Sequence, residues 1–296
     1  MSRAVILLAV AATAAVAAQA AGASQLIDRN AHDVSLAVNT KGEALITYTD
    51  GGRVRHVLAW GAVNAIAPTR SRAQVAFKLD YAGGWGKYHT DYWKTFHDAC
   101  RPYSGPALAW FVAGCTAPDG SFWALQAWQR ELPDYGLAPT AAQAAWELRL
   151  SHWTGALPVL DISVGWAYRK FDKLFGAFTY DGQPIYGFRA TPSGSPLDTF
   201  GRNIYVDTYD SAYGSGWKRD NSFLTHTGHG SFCYGFYPHG PHPAGNGTRY
   251  RATAEGPGVT PDVMWQGNAP GPYDPQLQAQ SNQALAALDD PLCRPN

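Results

Sequence analysis

Apolar and polar residues alternate along most of this chain with a period of two. Between residues 34 and 60, VSLAV, ALITY and VRHVLAW are β-prone runs separated by NTKGE and TDGG. Asp-Gly and Gly-Gly suit tight hairpin turns, whose central residues need a left-handed backbone. The spacing predicts a β-meander there and a further strand over 74–80. Residues 107–114 and 122–128 flank TAPDG and predict a hairpin. Strand-like runs recur at 159–166, 174–180, 184–189, 203–209, 231–237 and 249–254. Many short strands punctuated by turns predict a mainly β fold, an antiparallel β-sandwich or barrel-like arrangement with few short helices.

Helical periodicity is rarer. TDYWKTFHDAC (90–100) brings Tyr92 and Phe96 to one helical face. Thr140 and Gln143 fit a capping box, and the WELRLSHW that follows alternates, so a short helical turn passing into a strand is expected. In PQLQAQSNQALAALDDP, Leu277, Ser281, Ala284, Leu285 and Leu288 share a face and Pro291 ends it, predicting a C-terminal helix. No Ser/Gly/Pro linker divides the chain. Residues 24–296 therefore read as one β-rich domain, with 30–80 a candidate small meander of its own.

The N-terminus changes the picture. Arg3 precedes an Ala-rich apolar run over 4–18, then two A-x-A sites, Ala18-Gln19-Ala20 and Ala21-Gly22-Ala23. That is the plan of a secretory signal peptide over 1–23. The run is shorter than the ~20 residues a spanning helix needs. The expectation is a secreted or extracellular protein with no integral membrane segment after cleavage. Net charge is zero and no basic block exists, which argues against a nucleic-acid partner. With 16% charged and 13% aromatic residues, including 11 Trp and 16 Tyr, the chain reads as globular and aromatic-rich rather than disordered.

Four cysteines in an exported chain favour two disulfides, and three pairings exist. Cys100 with Cys115 would close a short loop through RPYSGPA. Cys233 with Cys293 would tie the C-terminus to the body. In an exported chain Asn246-Gly247-Thr248 is also a glycosylation sequon.

The stretch 226-HTGHGSFCYGFYPHGPH-242 holds two H-x-x-H pairs, His226/His229 and His239/His242. Residues three apart in a strand point to opposite faces, and glycine and proline surround all four imidazoles. They read as loop histidines packed on aromatics, with no metal and no cofactor expected. HGSFC resembles, over five residues, the His-Gly-Cys signature of L,D-transpeptidases, with two extra residues before Cys233 and no arginine after it. The resemblance implies a Cys233 nucleophile acting on cell-wall peptide stems; the even cysteine count implies a disulfide instead. No G-x-S-x-G, P-loop or H-E-x-x-H is present.

Strand alternation offers a different chemistry. In NIYVDTYD, Ile204, Val206 and Thr208 share one face and Tyr205, Asp207 and Tyr209 the other. LDISVGW leaves Asp161 and Ser163 opposite its apolar face. FWALQAWQR aligns Gln126, Trp128 and Arg130, and WELRLSHW aligns Glu147, Arg149, Ser151 and Trp153. Flat rings stack on sugar faces while carboxylates and amides bond hydroxyls, so such faces suit an extracellular polysaccharide or cell wall. The segment 201–226 concentrates these groups. Its candidate ligand-binding residues are Tyr205, Asp207, Tyr209, Asp210 and Trp217, with His226 and His229 beside them. Hydrolysis of a glycoside would need two carboxyl groups about 5 to 10 Å apart, with Asp207, Asp210, Asp161 and Glu147 as candidates. The expected role is binding of such a polymer; an extracellular hydrolase or transpeptidase on the same polymer is the alternative.

Overall fold

The computed structural model describes residues 24–129, 132–140, 145–185, 189–190, 196–197, 200, 202–222, 230–255, 259–291 and 293–296. The first half runs through β1 (Gln25–Arg29), β2 (His32–Val38), β3 (Glu43–Asp50), β4 (Arg53–Trp60) and β5 (Lys78–Asp80). After a short α1 (Trp85–Tyr88) come β6 (Arg101–Pro102), β7 (Phe111–Thr116), β8 (Phe122–Gln129) and β9 (Trp146–Trp153). The second half opens with β10 (Val159–Ala167), β11 (Phe171–Tyr180), β12 (Gln183–Pro184), β13 (Arg189–Ala190) and β14 (Pro196–Leu197). It continues through β15 (Asn203–Ser211), β16 (Gly214–Ser222), β17 (Ser231–Gly235), β18 (Arg249–Glu255) and β19 (Val263–Asn268), and ends in α2 (Pro275–Ala287).

These strands form four antiparallel sheets. The meander β2-β3-β4-β5 packs on the five-stranded β1-β9-β8-β7-β6. Ile46, Val57, Trp123, Leu125, Leu148 and Leu150 fill the core between them. The sheet β10-β11-β12, with β17 on β11, packs on β13-β14-β15-β18-β19, with β16 on β15. Ile162, Leu174, Phe178, Ile204, Val206, Phe232 and Tyr250 fill that second core. Among the described residues the sheets are thus antiparallel, as the alternation predicts, and form two facing pairs; one isolated bridge, Asp134 to Arg219, is parallel.

The turn chemistry acts as expected. Gly51 and Gly52 close the β3–β4 hairpin at φ 52° and 75°, a region closed to most side chains. Asn39 Oδ1 accepts from the amides of Lys41 and Glu43, at 2.8 and 3.1 Å, and shapes the β2–β3 turn. Both expected disulfides are present, Cys100–Cys115 and Cys233–Cys293, each with Cα atoms 5.6 Å apart. The C-terminal helix is α2, with Ser281 and Leu285 buried. Asp274 caps it by accepting from Gln276 N at 2.7 Å, and Pro275 occupies its first turn. Gly165 on β10 lets it come close: a Cβ there would lie 2.5 Å from Ser281 Oγ.

Several elements differ from expectation. Within 74–80 only Lys78–Asp80 pairs. The Gln74 side chain instead bonds both backbone groups of Ile66, fixing that segment without a ladder. Within 90–100 a single 3₁₀ turn, Tyr92–Lys94, replaces the helix. Asp98 accepts from Val38 N and Cys100 N and holds the rest extended. Gln143 of the anticipated capping box lies outside the described residues, while WELRLSHW is β9. Of the run at 184–189, residues 186–188 lie outside the described residues and its ends join β12 and β13.

Candidate functional site

Strand β15 sets the site. Ile204 and Val206 are fully buried in the second core, so the pleat turns Tyr205, Asp207 and Tyr209 to the opposite face. The register then dictates their neighbours. Asp207 stands opposite Arg219 on β16 and Arg251 on β18. Its Oδ1 accepts from Arg219 Nε at 2.8 Å, and its Oδ2 from Arg251 Nε and Nη2 at 3.0 and 2.8 Å. With 1% of its surface exposed, Asp207 lies beneath the face. One buried carboxylate between two guanidinium groups holds both at fixed heights.

Tyr209 stands opposite Trp217 on β16 and Arg249 on β18. Arg249 lies 3.9 Å from the Tyr209 ring centre and 5.5 Å from that of Trp217. Arg251 lies 4.3 Å from the Trp217 ring and 5.6 Å from that of Trp110. Arg219 covers Tyr205 at 4.0 Å. Rings and cations alternate across the sheet, an attractive arrangement because the π face is electron-rich. Trp110 reaches this row from the first half of the chain, stacked on buried Trp128 at 5.0 Å. Trp110, Tyr209, Trp217, Arg249 and Arg251 are half-buried, and Gln266 and Asn268 on β19 are exposed beside the two arginines. Among the described residues Arg249 has no carboxylate within ion-pair distance.

The remaining sequence candidates fall elsewhere. Asp210 is exposed near the end of β15, at a bulge with φ 47°, where its Oδ1 accepts from Gly216 N at 2.7 Å. His226 and His229 lie outside the described residues. Cys233 is bonded to Cys293, which removes the thiol that the transpeptidase-like stretch would require. Asp161 is exposed on β10. Glu147 is buried, accepting from Arg149 Nη2 at 2.5 Å and from Arg29 at 3.0 Å. No group of three or more His, Cys, Asp and Glu converges as metal ligands among the described residues.

A second cluster surrounds Asp220, the extra residue of a β-bulge in β16. The bulge removes it from the alternating face. Burial pushes its carboxyl up to about 7, against hydrogen bonds from Tyr213 and Tyr234. His239 Nε2 lies 3.6 Å from Asp220 Oδ1 and 3.2 Å from Tyr234 Oη. Tyr135 stacks on His242 at 4.9 Å, so the second H-x-x-H pair packs on an aromatic ring.

A third constellation has the look of a nucleophile and its base. His152 Nε2 lies 2.8 Å from Ser121 Oγ, which donates to Asp119 Oδ1 at 2.6 Å. Ser121 is 1% exposed, His152 Nδ1 is engaged by the Ala62 carbonyl, and burial pulls the imidazole down to about 4. The trio staples a turn and offers no face to a substrate.

The platform arginines were missed in the sequence although RYRATAE carries them: the same alternation that buries Tyr250 and Ala252 turns out Arg249 and Arg251. Trp110 and Asp220 left no such trace, since one comes from a loop and the other from a bulge. Fold and site together define a disulfide-stapled antiparallel β protein bearing an aromatic–guanidinium platform. The chain matches no protein-family model, no curated protein and no solved structure.

Proposed function

We propose that this is an exported binding protein whose platform of Trp110, Tyr209, Trp217, Arg249 and Arg251 holds an extracellular or cell-wall polysaccharide carrying carboxylate groups. The observation that carries this reading is Arg249, a half-buried cation laid 3.9 Å over Tyr209 with no carboxylate of its own among the described residues. Rings supply stacking surface for sugar faces, and paired guanidinium groups at fixed spacing supply charge-assisted bonds to acid substituents. Gln266 and Asn268 add hydroxyl-bonding amides. Titration calorimetry with polygalacturonate and with a neutral glucan tests it. The acidic polymer is expected to bind more tightly and to lose affinity as salt rises. Trp217→Ala should weaken binding about tenfold or more, roughly 1.4 kcal/mol. Arg249→Ala should abolish the preference for the acidic polymer. Equal or absent binding of both polymers by the parent protein would sink the reading.

A further inference from the structure

The seam between the two halves holds a carboxylate with unused capacity. Asp262, just before β19, is 1% exposed. Its Oδ2 accepts from Ser24 Oγ at 2.9 Å and Trp128 Nε1 at 3.1 Å, and its Oδ1 has no hydrogen-bond partner. Around it stand Ser24 ahead of β1, Gln126 and Trp128 on β8, Glu147 and Arg149 on β9, and Glu255 on β18. Gln126 spends its amide on the Asp262 backbone, at 3.0 Å in each direction. Arg149 turns its two Nη groups to Glu147, Glu255 and the Ser24 carbonyl, at 2.5, 2.9 and 2.9 Å, and its Nε makes no hydrogen bond among the described residues. Burial pushes the Asp262 carboxyl up; Arg149 pulls it down and Glu255 pushes it up again. A buried acid oxygen left unmatched costs free energy that a cation would recover.

Ser24 is fully buried and fixed at both its hydroxyl and its carbonyl. Its backbone nitrogen is three covalent bonds from the hydroxyl that touches Asp262. Ser24 is also the residue that follows the second A-x-A site, Ala21-Gly22-Ala23. We infer that the bond between Ala23 and Ser24 is a processing site whose hydrolysis completes this core, the new α-ammonium of Ser24 forming a buried ion pair with Asp262. A leader-type peptidase supplies the catalysis. Water's hydroxyl goes to the Ala23 carbonyl carbon and its proton to the departing Ser24 nitrogen, and the proton shed by the new Ala23 carboxyl group turns that amine into the ammonium. Because Ser24 is enclosed once the sheets pack, cleavage precedes folding. The first strand, β1, is then anchored at its head to the opposite half of the molecule. The inference rests on the export reading above.

N-terminal sequencing of the exported protein separates the two. A chain starting at Ser24 is expected. An intact Met1 overturns export and this pair together, whereas an exported chain starting at Ala21 overturns the pair alone. On a chain starting at Ser24, acylation of the α-amine should be at least tenfold slower in the folded than in the urea-unfolded protein. Equal rates would refute the buried pair. Adding one glycine ahead of Ser24 in the mature chain should lower Tm, and the loss should vanish in an Asp262→Asn background. An equal loss in both backgrounds would refute it too. If the extended chain does not fold, the acylation ratio on the unaltered protein decides.

Discussion

Asp207 lies buried between the Arg219 and Arg251 guanidinium groups. Two guanidinium groups side by side repel, and the carboxylate between them fixes their spacing from below. Asp207→Asn keeps the shape and removes the charge that both guanidinium groups share. Removing one partner of a buried ion pair costs about 3 to 5 kcal/mol. Chemical denaturation of the variant should show a loss of that order, while the parent and Trp217→Ala should unfold alike within about 1 kcal/mol. Position 207 shows how far alternation reaches. The pattern NIYVDTYD places Asp207 on the same face as Tyr205 and Tyr209, and the structure does so. Alternation assigns a side but not a depth, and depth follows from Arg219 and Arg251 on neighbouring strands.

At the scale of elements, the hairpins and α2 were legible because their information is local. TDGG and NTKGE carry their turn geometry, and the Leu277, Ser281, Leu285 spacing carries its buried face. Strand β16 was not legible: Gly214 and Gly216, at φ 126° and 72°, interrupt its pattern, and the bulge at Asp220 shifts its phase. Helix α2 depends on a contact no local pattern shows, the missing side chain at Gly165. Gly165→Ala should destabilise by about 1 to 3 kcal/mol through overpacking. Ser281→Gly, which clears the same spot, should restore part of that in a two-variant cycle. Losing the Cys233–Cys293 bridge, which spans 60 residues, should cost about 4 kcal/mol on the loop-entropy account. Losing Cys100–Cys115, which spans 15, should cost about 3 kcal/mol. Denaturation of the two serine pairs would rank them.

For the whole molecule, the polar faces of β8 and β9 are spent internally. Glu147, Arg149 and Gln126 have the alternation of a ligand face, yet residues from the second half cover them. Sequence could not show this, because the cover arrives more than a hundred residues later, through Glu255 and Asp262. Buried acids also set the response to pH. Burial raises Asp172 to about 6 and Asp220 to about 7, from a usual 3.8. The folded protein therefore holds protons that the unfolded chain has released, so stability falls as pH rises from about 4 through about 7. Glu43 acts in the opposite sense. Burial pushes it up, but hydrogen bonds from Lys87, Tyr88, Asn39 and Tyr92 bring it down to about 2, and its contribution is lost as pH falls from about 4.5 towards 2. His152, pulled by burial from 6.5 to about 4, adds stability as pH rises over that range and offsets part of the decline, and Asp220→Asn should flatten what remains in thermal scans at pH 5 and 8.

The Trp110–Trp128 stack, 5.0 Å between centres and 14° from parallel, has an optical consequence. Two indoles so close couple their electronic transitions and should give a paired positive and negative band in circular dichroism. One indole is anchored to Asp262 in the seam and the other sits beside Arg251 on the open sheet. The same couplet should therefore report two events: loss of the seam on unfolding, and displacement of Trp110 by a polymer bound as proposed above. The protein carries its own label for both, and Trp110→Phe should silence it.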